Sequence, residues 1–222
     1  MPGAQGFLGL LSAEDRATLE RLGRPRRFAA GEVLFREGAR SDHVVLLRSG
    51  RAKVLGAGAP GREVLLGIRG PGELVGEFAV IDGDGAGRSA SLVAMTEVSC
   101  QVVQGSEFRA YLEAHPRALL AMLRTITARV HDADRRRLEY GSLDASHRMA
   151  QVLLELAADH GVPQPDGSVL LRLSQDELAG LVGASRESVV RGLRALRDGG
   201  VVATGRRSIV VLDEGRLRSA AG

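Results

Sequence analysis

The chain has 222 residues, of which 44% are hydrophobic and 26% charged, enough for one large or two modest domains with a buried core. Its 29 Gly and 7 Pro lie below the level typical of disorder, which excludes collagen-like and low-complexity chains. No apolar stretch approaches the length of a membrane span, and the apolar patch at 7–11 has no basic residues before it. We therefore expect a cytoplasmic protein without a membrane span or signal peptide.

The charged residues and the single cysteine narrow the functional classes to which the protein can belong. The formal net charge is +3, and every basic residue except Lys53 is Arg, the side chain best suited to phosphate and guanine. Cys100 is the only cysteine, which excludes an internal disulfide and a cysteine-held iron–sulfur cluster, and its alternating neighbours predict a buried strand position. The five His lack metal-ligand spacing and no nucleophile motif is present, so we expect neither a metal site nor an enzyme.

Short β-rich runs dominate the first part of the chain, which also holds 17 of the 29 Gly within residues 1–100. Gly or Pro separates most of these runs, a pattern that predicts an antiparallel β-roll of the jelly-roll type over residues 1–115. A helix at 8–22, capped by Ser12, is predicted to precede the roll. The predicted strands are 32–35, 43–47, 52–55, 63–68, 89–94 and 98–103.

The segment 116–141 predicts one long helix that begins at Pro116. A seam of residues recurs at spacings of four and three, which is typical of a coiled coil and predicts a parallel homodimer. A helix packed on its own barrel is the alternative. The seam consists of Leu119, Leu123, Ile126, Val130, Ala133, Arg137 and Tyr140.

The segment 142–222 predicts a winged helix-turn-helix. After an apolar helix at 149–156 and a strand at 169–173, the sequence Ser174-Gln175-Asp176-Glu177 forms a capping box that opens a helix. Gly183 ends this helix, Ser185 caps the next one, and a hairpin of 201–204 with 208–211 follows. The whole chain is thus predicted as an α+β protein.

The second helix of this motif presents outward the chemistry that reads DNA. Six Arg stand against two acids between residues 186 and 207, and the first turn is the part that normally meets base edges. An Arg side chain donates two hydrogen bonds to O6 and N7 of guanine, and a carboxylate accepts a hydrogen bond from N4 of cytosine. The tip of the wing can contact backbone phosphate. We therefore predict a double-stranded DNA palindrome as partner, contacted by Ser174, Gln175, Ser185, Arg186, Glu187, Val190, Arg191, Arg194, Arg206 and Arg207.

The stretches LSQDELA at 173–179 and VGASRESVVR at 182–191 closely resemble the helix-turn-helix of the cyclic-AMP receptor protein family of bacterial transcription regulators. The resemblance covers nearly the whole chain, including the roll, the long helix and the wing. It implies that Arg186, Glu187 and Arg191 read bases of a GTGA-like half-site, and that an activator of this kind would contact RNA polymerase.

The stretches PGELVGEFA at 71–79 and GRSA at 87–90 resemble the phosphate-binding cassette of the same family. A cyclic nucleotide needs a cation for its phosphate, amide donors from a glycine turn and an acceptor for the ribose 2′-hydroxyl. The cation is Arg88, the amide donors come from the turn at Gly76, and the acceptor for the 2′-hydroxyl is Glu77. The resemblance completes the predicted ligand site with Phe78, Ala79, Ser89, Ala133 and Asp134.

The identity of the ligand depends on one departure from the family pattern. Where the family has a Thr followed by a Ser or Asn that reaches the adenine, this chain has Ala133 and Asp134. An ionised Asp134 accepts one hydrogen bond from adenine N6 or two from guanine N1 and N2, unless it faces solvent. Cyclic AMP is favoured on the resemblance, with cyclic GMP as the rival. A regulator that binds DNA without ligand, with the roll as a dimer scaffold, is the further alternative.

Overall fold

The computed structural model describes residues 6–58, 63–83, 87–142 and 144–222, with only the backbone at 136, 137 and 139–142. The chain forms two compact units, Met1–His131 and Asp132–Gly222. The long helix begins in the first unit and ends in the second.

The first unit is a β-roll with helices packed on it. Two four-stranded antiparallel sheets have the strand orders β1-β8-β3-β6 and β2-β7-β4-β5, which confirms the predicted roll. Its elements are α1 (Gly6–Gly9), α2 (Ala13–Arg21), β1 (Arg24–Phe28), β2 (Val33–Phe35), β3 (His43–Ser49), β4 (Ala52–Ala57), β5 (Glu63–Arg69), β6 (Leu74–Val75), α3 (Glu77–Ile81), β7 (Ser91–Ala94), β8 (Val98–Gln104), α4 (Gly105–Ala114) and α5 (Pro116–Ser142).

Strand β3 lies between two hydrophobic clusters, because successive side chains of a strand point to opposite faces. Val44 and Leu46 pack with residues of the surrounding helices, such as Phe108. Val45 and Leu47 pack between the two sheets. All four β3 side chains are buried, so the strand anchors the roll and the helical layer together.

Cys100 occupies the buried strand position that its neighbours predict. It lies on β8 and packs between the two sheets. Burial raises the pKa of its thiol to about 11, with the charge of Arg26 acting in the opposite direction. The thiol is therefore protonated at neutral pH and belongs to the core.

Two predicted boundaries in this unit are wrong. The helix predicted at 8–22 is two helices, α1 and α2, because the Ser12 side chain accepts a hydrogen bond from the Asp15 amide at 3.1 Å and starts a new helix there. The strand predicted at 89–94 begins only at Ser91. The backbone of Arg88 instead pairs with the loop at 38–39.

The second unit has the predicted winged helix-turn-helix. Its sheet has the antiparallel strand order β11-β12-β10-β9, and α6 is longer at both ends than the predicted helix. Its elements, after the end of α5, are α6 (Ala145–His160), β9 (Val162–Pro163), β10 (Val169–Leu171), α7 (Gln175–Val182), α8 (Arg186–Asp198), β11 (Val202–Gly205), β12 (Ser208–Val211) and α9 (Glu214–Ala220).

Neither a membrane-spanning helix nor a cluster of metal ligands is found among the described residues. None of the helices there is long and apolar enough to cross a membrane. Within the same ranges, no group of three or more His, Cys, Asp or Glu is placed to hold a metal ion.

Candidate functional site

The turn between β6 and α3 positions the predicted ligand site. Gly76 has φ 91° and ψ 9°, in the left-handed region that favours glycine. A Cβ added to Gly76 would collide with the Nη1 atom of Arg88. The Gly76 carbonyl accepts a hydrogen bond from that same nitrogen at 2.9 Å. Glycine is therefore required here both for the backbone angle and for the approach of the guanidinium.

Arg88 is a buried cation, only 3% exposed. Its Nε donates to Ser41 Oγ at 2.6 Å, and its Nη2 donates to the carbonyl of His43 at 2.7 Å. Together with Gly76, these acceptors are all uncharged oxygens. The guanidinium carbon also lies 4.3 Å from the centre of the Phe35 ring, which contributes a cation–π interaction.

Within the described residues, the charge of Arg88 is only partly compensated. Burial lowers its pKa, and the more distant charges of Asp42 and Glu77 act in the opposite direction. An arginine nevertheless stays protonated in a protein, and a buried charge is costly unless an opposite charge accompanies it. An anion that reached the guanidinium would therefore be bound favourably.

Glu77 supplies a buried and oriented carboxylate at the first turn of α3. It is 1% exposed, and its Oε1 accepts a hydrogen bond from Nη1 of Arg129 on α5. Arg129 is held in turn by the Leu74 carbonyl, which accepts from Nη2 at 2.8 Å. The buried Glu77 carboxyl group is thus paired with a cation and has acceptor capacity for a hydroxyl group.

Sequence reasoning missed Arg129, Ser41, His43 and Phe35. Each lies far along the chain from the cassette that it supports. One signal was available for Arg129, because a buried Glu requires a cation and the long helix carries arginines.

The other predicted ligand residues fall in different places. Ala79 is buried on α3, whereas Phe78 is 42% exposed and Ser89 is exposed beside Arg88. The structure thus brings Gly76, Glu77 and Arg88 together. Ala133 and Asp134 lie on the part of α5 that belongs to the second unit, and both are exposed.

Helix α8 separates a buried face from a charged face. Its N-cap is Ser185, whose Oγ accepts from the Ser188 amide at 3.2 Å, as predicted. Val189 and Leu193 are buried against the rest of the unit. The opposite face exposes all the predicted base-reading and phosphate-reading residues of this helix, namely Arg186, Glu187, Val190, Arg191 and Arg194.

The turn before α8 has the predicted glycine and an arginine that the sequence analysis missed. Gly183 ends α7 with φ 63°. Arg148 on α6, nearly buried, donates from Nε to the Val182 carbonyl at 3.1 Å. A cation at this point interacts favourably with the negative end of α7.

The capping box and the wing are also in place. The Ser174 amide donates to Glu177 at 2.7 Å, and the Glu177 amide donates to Ser174 at 3.2 Å; Gln175, next to the cap, is half-buried. Arg206 and Arg207 are exposed at the tip between β11 and β12. Arg207 has φ 54°, and its Nη2 lies 3.5 Å from Glu177 Oε1.

Helix α5 exposes apolar side chains on the first unit. Leu119, Leu123 and Val130 of the predicted seam are exposed, whereas Ile126 packs against the helical cluster. The seam therefore faces outward at three of these four positions. The side chains of Arg137 and Tyr140 lie outside the described part of the chain.

Family comparisons cover most of the chain. Residues 25–115 match the family described as cyclic nucleotide-binding domain. Residues 147–220 match the family described as Crp-like helix-turn-helix domain.

Similar proteins of known role match over nearly the full length. The chain is 31% identical over 224 residues to the cyclic AMP receptor protein of Thermus thermophilus, covering 100% of this chain and 98% of the relative. It is 30% identical over 203 residues to the CRP-like cAMP-activated global transcriptional regulator of Mycobacterium tuberculosis, covering 90% of this chain and 89% of the relative.

Solved structures share the fold. A c-di-GMP-responsive global regulator of Xanthomonas campestris superposes with a TM-score of 0.78 at 24% identity, covering 91% of this chain and 100% of that chain. A CRP/FNR-family transcriptional regulator of Thermus thermophilus superposes with a TM-score of 0.75 at 25% identity, covering 89% and 98%.

Proposed function

The chain belongs to the cyclic AMP receptor protein family of transcription regulators, and on that premise we propose a homodimeric regulator whose binding to palindromic DNA responds to a cyclic purine nucleotide. In this proposal residues 1–115 sense the ligand, 116–141 dimerise and 142–222 bind DNA. The protein acts in the bacterial cytoplasm, is not an enzyme and needs no metal or iron–sulfur cluster. If it activates transcription, it contacts RNA polymerase.

The observation that carries the ligand proposal is the buried charge of Arg88. An arginine has five N–H groups. Within the described residues, three of those of Arg88 donate, to Ser41, Gly76 and His43, which leaves two for the oxygens of a cyclic phosphate. A charge-assisted contact of this kind, in a site of low exposure, contributes about 1.5–3 kcal/mol per hydrogen bond.

The ribose would be read by Glu77. Its carboxylate is fixed by Arg129, so it accepts from the 2′-hydroxyl without losing its compensating charge. Amides of the turn after Gly76, with Phe78, Ala79 and Ser89, complete the proposed phosphate and ribose contacts.

Two purine bases are candidates for the ligand, adenine and guanine. The relatives from Mycobacterium tuberculosis and Thermus thermophilus carry names that refer to cyclic AMP, which favours cyclic AMP here. Asp134, exposed and in the place of the hydroxyl of the family, supports cyclic GMP as the second candidate, since it can accept from both guanine N1 and N2.

The DNA proposal is supported by the charged face of α8 and by the wing. Arg186, Glu187 and Arg191 would read base edges in the major groove, and Arg206 would contact phosphate whatever the sequence. The outward-facing leucines of α5 support the homodimer, in which two such helices read half-sites about one helical turn apart.

Calorimetry with cyclic AMP and cyclic GMP tests the ligand proposal. We expect saturable heats with wild type and at least about tenfold weaker binding for Glu77→Gln, because a charged acceptor is lost. Glu73→Gln is the matched control: Glu73 stands in the preceding Gly-Glu pair and accepts a hydrogen bond from the Gly70 amide at 2.6 Å. Its carboxylate lies 4.0 Å from Arg129 Nη2, whereas Glu77 is hydrogen-bonded to Arg129. Glu73→Gln should bind within about twofold of wild type.

Heats equal to dilution for both nucleotides would contradict the ligand proposal and leave the ligand-independent regulator. If Glu73→Gln lost nucleotide binding and Glu77→Gln did not, the assignment of Glu77 as the ribose acceptor would be wrong. A guanine preference that disappears in Asp134→Asn would establish cyclic GMP instead of cyclic AMP.

A further inference from the structure

An exposed carboxylate faces one of the proposed base-reading arginines. Asp176, the second residue of α7, lies with Oδ1 3.5 Å from Nε of Arg186 at the start of α8. Both side chains are more than half exposed, 59% for Asp176 and 57% for Arg186. This pair lies where the two helices of the motif would approach DNA.

The pair is poorly explained as a stabilising contact. Exposed ion pairs contribute little to folding, and an acid at this surface repels the phosphates on which DNA affinity depends. Asp176 does interact favourably with the N-terminal end of α7. Any acid in that first turn would do the same, and Glu177 already does so.

The geometry of the contact indicates another role. The carboxylate lies near Nε, whereas the terminal Nη1 and Nη2 groups form the fork that pairs with O6 and N7 of guanine. A carboxylate close to Nε restricts the long Arg side chain without using Nη1 or Nη2 for this contact. It leaves the guanine-binding edge available.

We propose that Asp176 is a positioning residue that determines specificity by holding Arg186 for guanine. The proposal rests on the proposed reading of DNA by α8. Asp176 raises affinity for the correct site, because Arg186 is oriented before binding. It lowers affinity for other sequences, because its charge opposes phosphate and keeps Arg186 from it.

The test compares Asp176→Asn with Asp198→Asn. Both variants remove one exposed negative charge from the same unit, and Asp198 also faces an arginine, Arg194, at 3.7 Å. Asp198, however, lies at the far end of α8, about 18 Å along the helix axis from its start. Comparison of the two variants therefore separates the effect of the lost negative charge on DNA binding from the effect of its position beside Arg186.

For each protein, the affinity for the palindrome selected by wild type and for a scrambled duplex is measured at several salt concentrations. Base preferences are determined separately, by selection from randomised duplexes. We expect Asp176→Asn to lower the palindrome-to-scrambled affinity ratio by about threefold to tenfold. Preference should relax at a single base pair, the same one that relaxes in Arg186→Ala. Asp198→Asn should leave the ratio unchanged.

Three results would overturn the proposal. An unchanged ratio in Asp176→Asn would show that the carboxylate has no part in specificity. Relaxation at a base pair other than that of Arg186→Ala would show that Asp176 touches a base itself. If wild type prefers no palindrome, the proposed DNA function fails and this inference fails with it, a result distinct from the first two because it appears without any substitution.

Discussion

At the scale of single residues, the site is organised around the charge of Arg88 and the groups that tolerate it. Ser41, Gly76 and His43 supply oxygens, and Phe35 supplies a ring face. The cassette motif predicts Gly76, Glu77 and Arg88, because these three follow one another in a recognisable order. Their supports could not be predicted, since each is brought in by strand pairing or helix packing across long stretches of chain.

The imidazole of His43 provides a test of this electrostatic environment. Burial lowers the pKa of His43, as does the charge of Arg88, with Asp42 acting in the opposite direction. Below pH of about 6.5, the unfolded chain therefore binds a proton that the folded chain resists. The contribution to stability is complete above that pH and is lost as the pH falls toward the folded pKa.

Urea unfolding of wild type and His43→Gln at about pH 8 and about pH 5.5 measures this effect. Wild type should lose more unfolding free energy on acidification than the variant, which lacks the titrating ring. The other histidines are common to both proteins and cancel in the difference. Equal losses would mean that His43 titrates as freely in the folded chain as in the unfolded one.

At the scale of elements, the sequence predicted best where local chemistry decides the structure. The capping box at Ser174, the left-handed Gly183 and the cap at Ser185 each act within one turn, so α7 begins and ends, and α8 begins, as predicted. The helix predicted at 8–22 extends to both sides of the predicted Ser12 cap, whereas in the structure that cap separates α1 from α2. Strand β1, with three Arg and one Pro among five residues, carries no strand pattern and depends on pairing with β8.

Substitution of the glycine in the turn before α3 is predicted to affect both stability and nucleotide binding. Gly76→Ala is strained at φ 91° and also forces a Cβ against Arg88. Gly83→Ala is the matched control, with φ 88° and no atom of the described residues within 4 Å of the added Cβ. Both should lose about 1 kcal/mol of stability from the backbone angle.

Only Gly76→Ala should also lose nucleotide binding, because it alone displaces the guanidinium. Thermal unfolding and calorimetry on the two variants measure these effects separately. If both variants bound nucleotide like wild type, the proposed contact between Arg88 and the phosphate would be wrong. Equal loss in both would trace the effect to backbone strain instead.

At the scale of the whole molecule, the helix α5 connects the β-roll unit with the unit that holds the winged helix-turn-helix. The order of roll, long helix and winged helix-turn-helix followed from glycine distribution and apolar spacing, because these patterns extend over many residues. The identity of the base could not be predicted, since Ala133 and Asp134 depart from the family pattern. The cassette lies in the first unit and the helix-turn-helix in the second. The proposal that nucleotide binding controls DNA binding is therefore a statement about coupling between the two units.

The affinity of the proposed homodimer for its proposed palindrome, measured by fluorescence anisotropy at fixed salt with and without cyclic nucleotide, tests this coupling most directly. We expect saturating cyclic AMP to tighten the Kd about tenfold or more, within the range of known allosteric couplings, and Glu77→Gln to respond only at much higher nucleotide concentration. By reciprocity, the palindrome should tighten nucleotide binding by the same factor. A Kd that is identical without nucleotide and with saturating cyclic AMP or cyclic GMP would contradict ligand control and identify a regulator that binds DNA unaided.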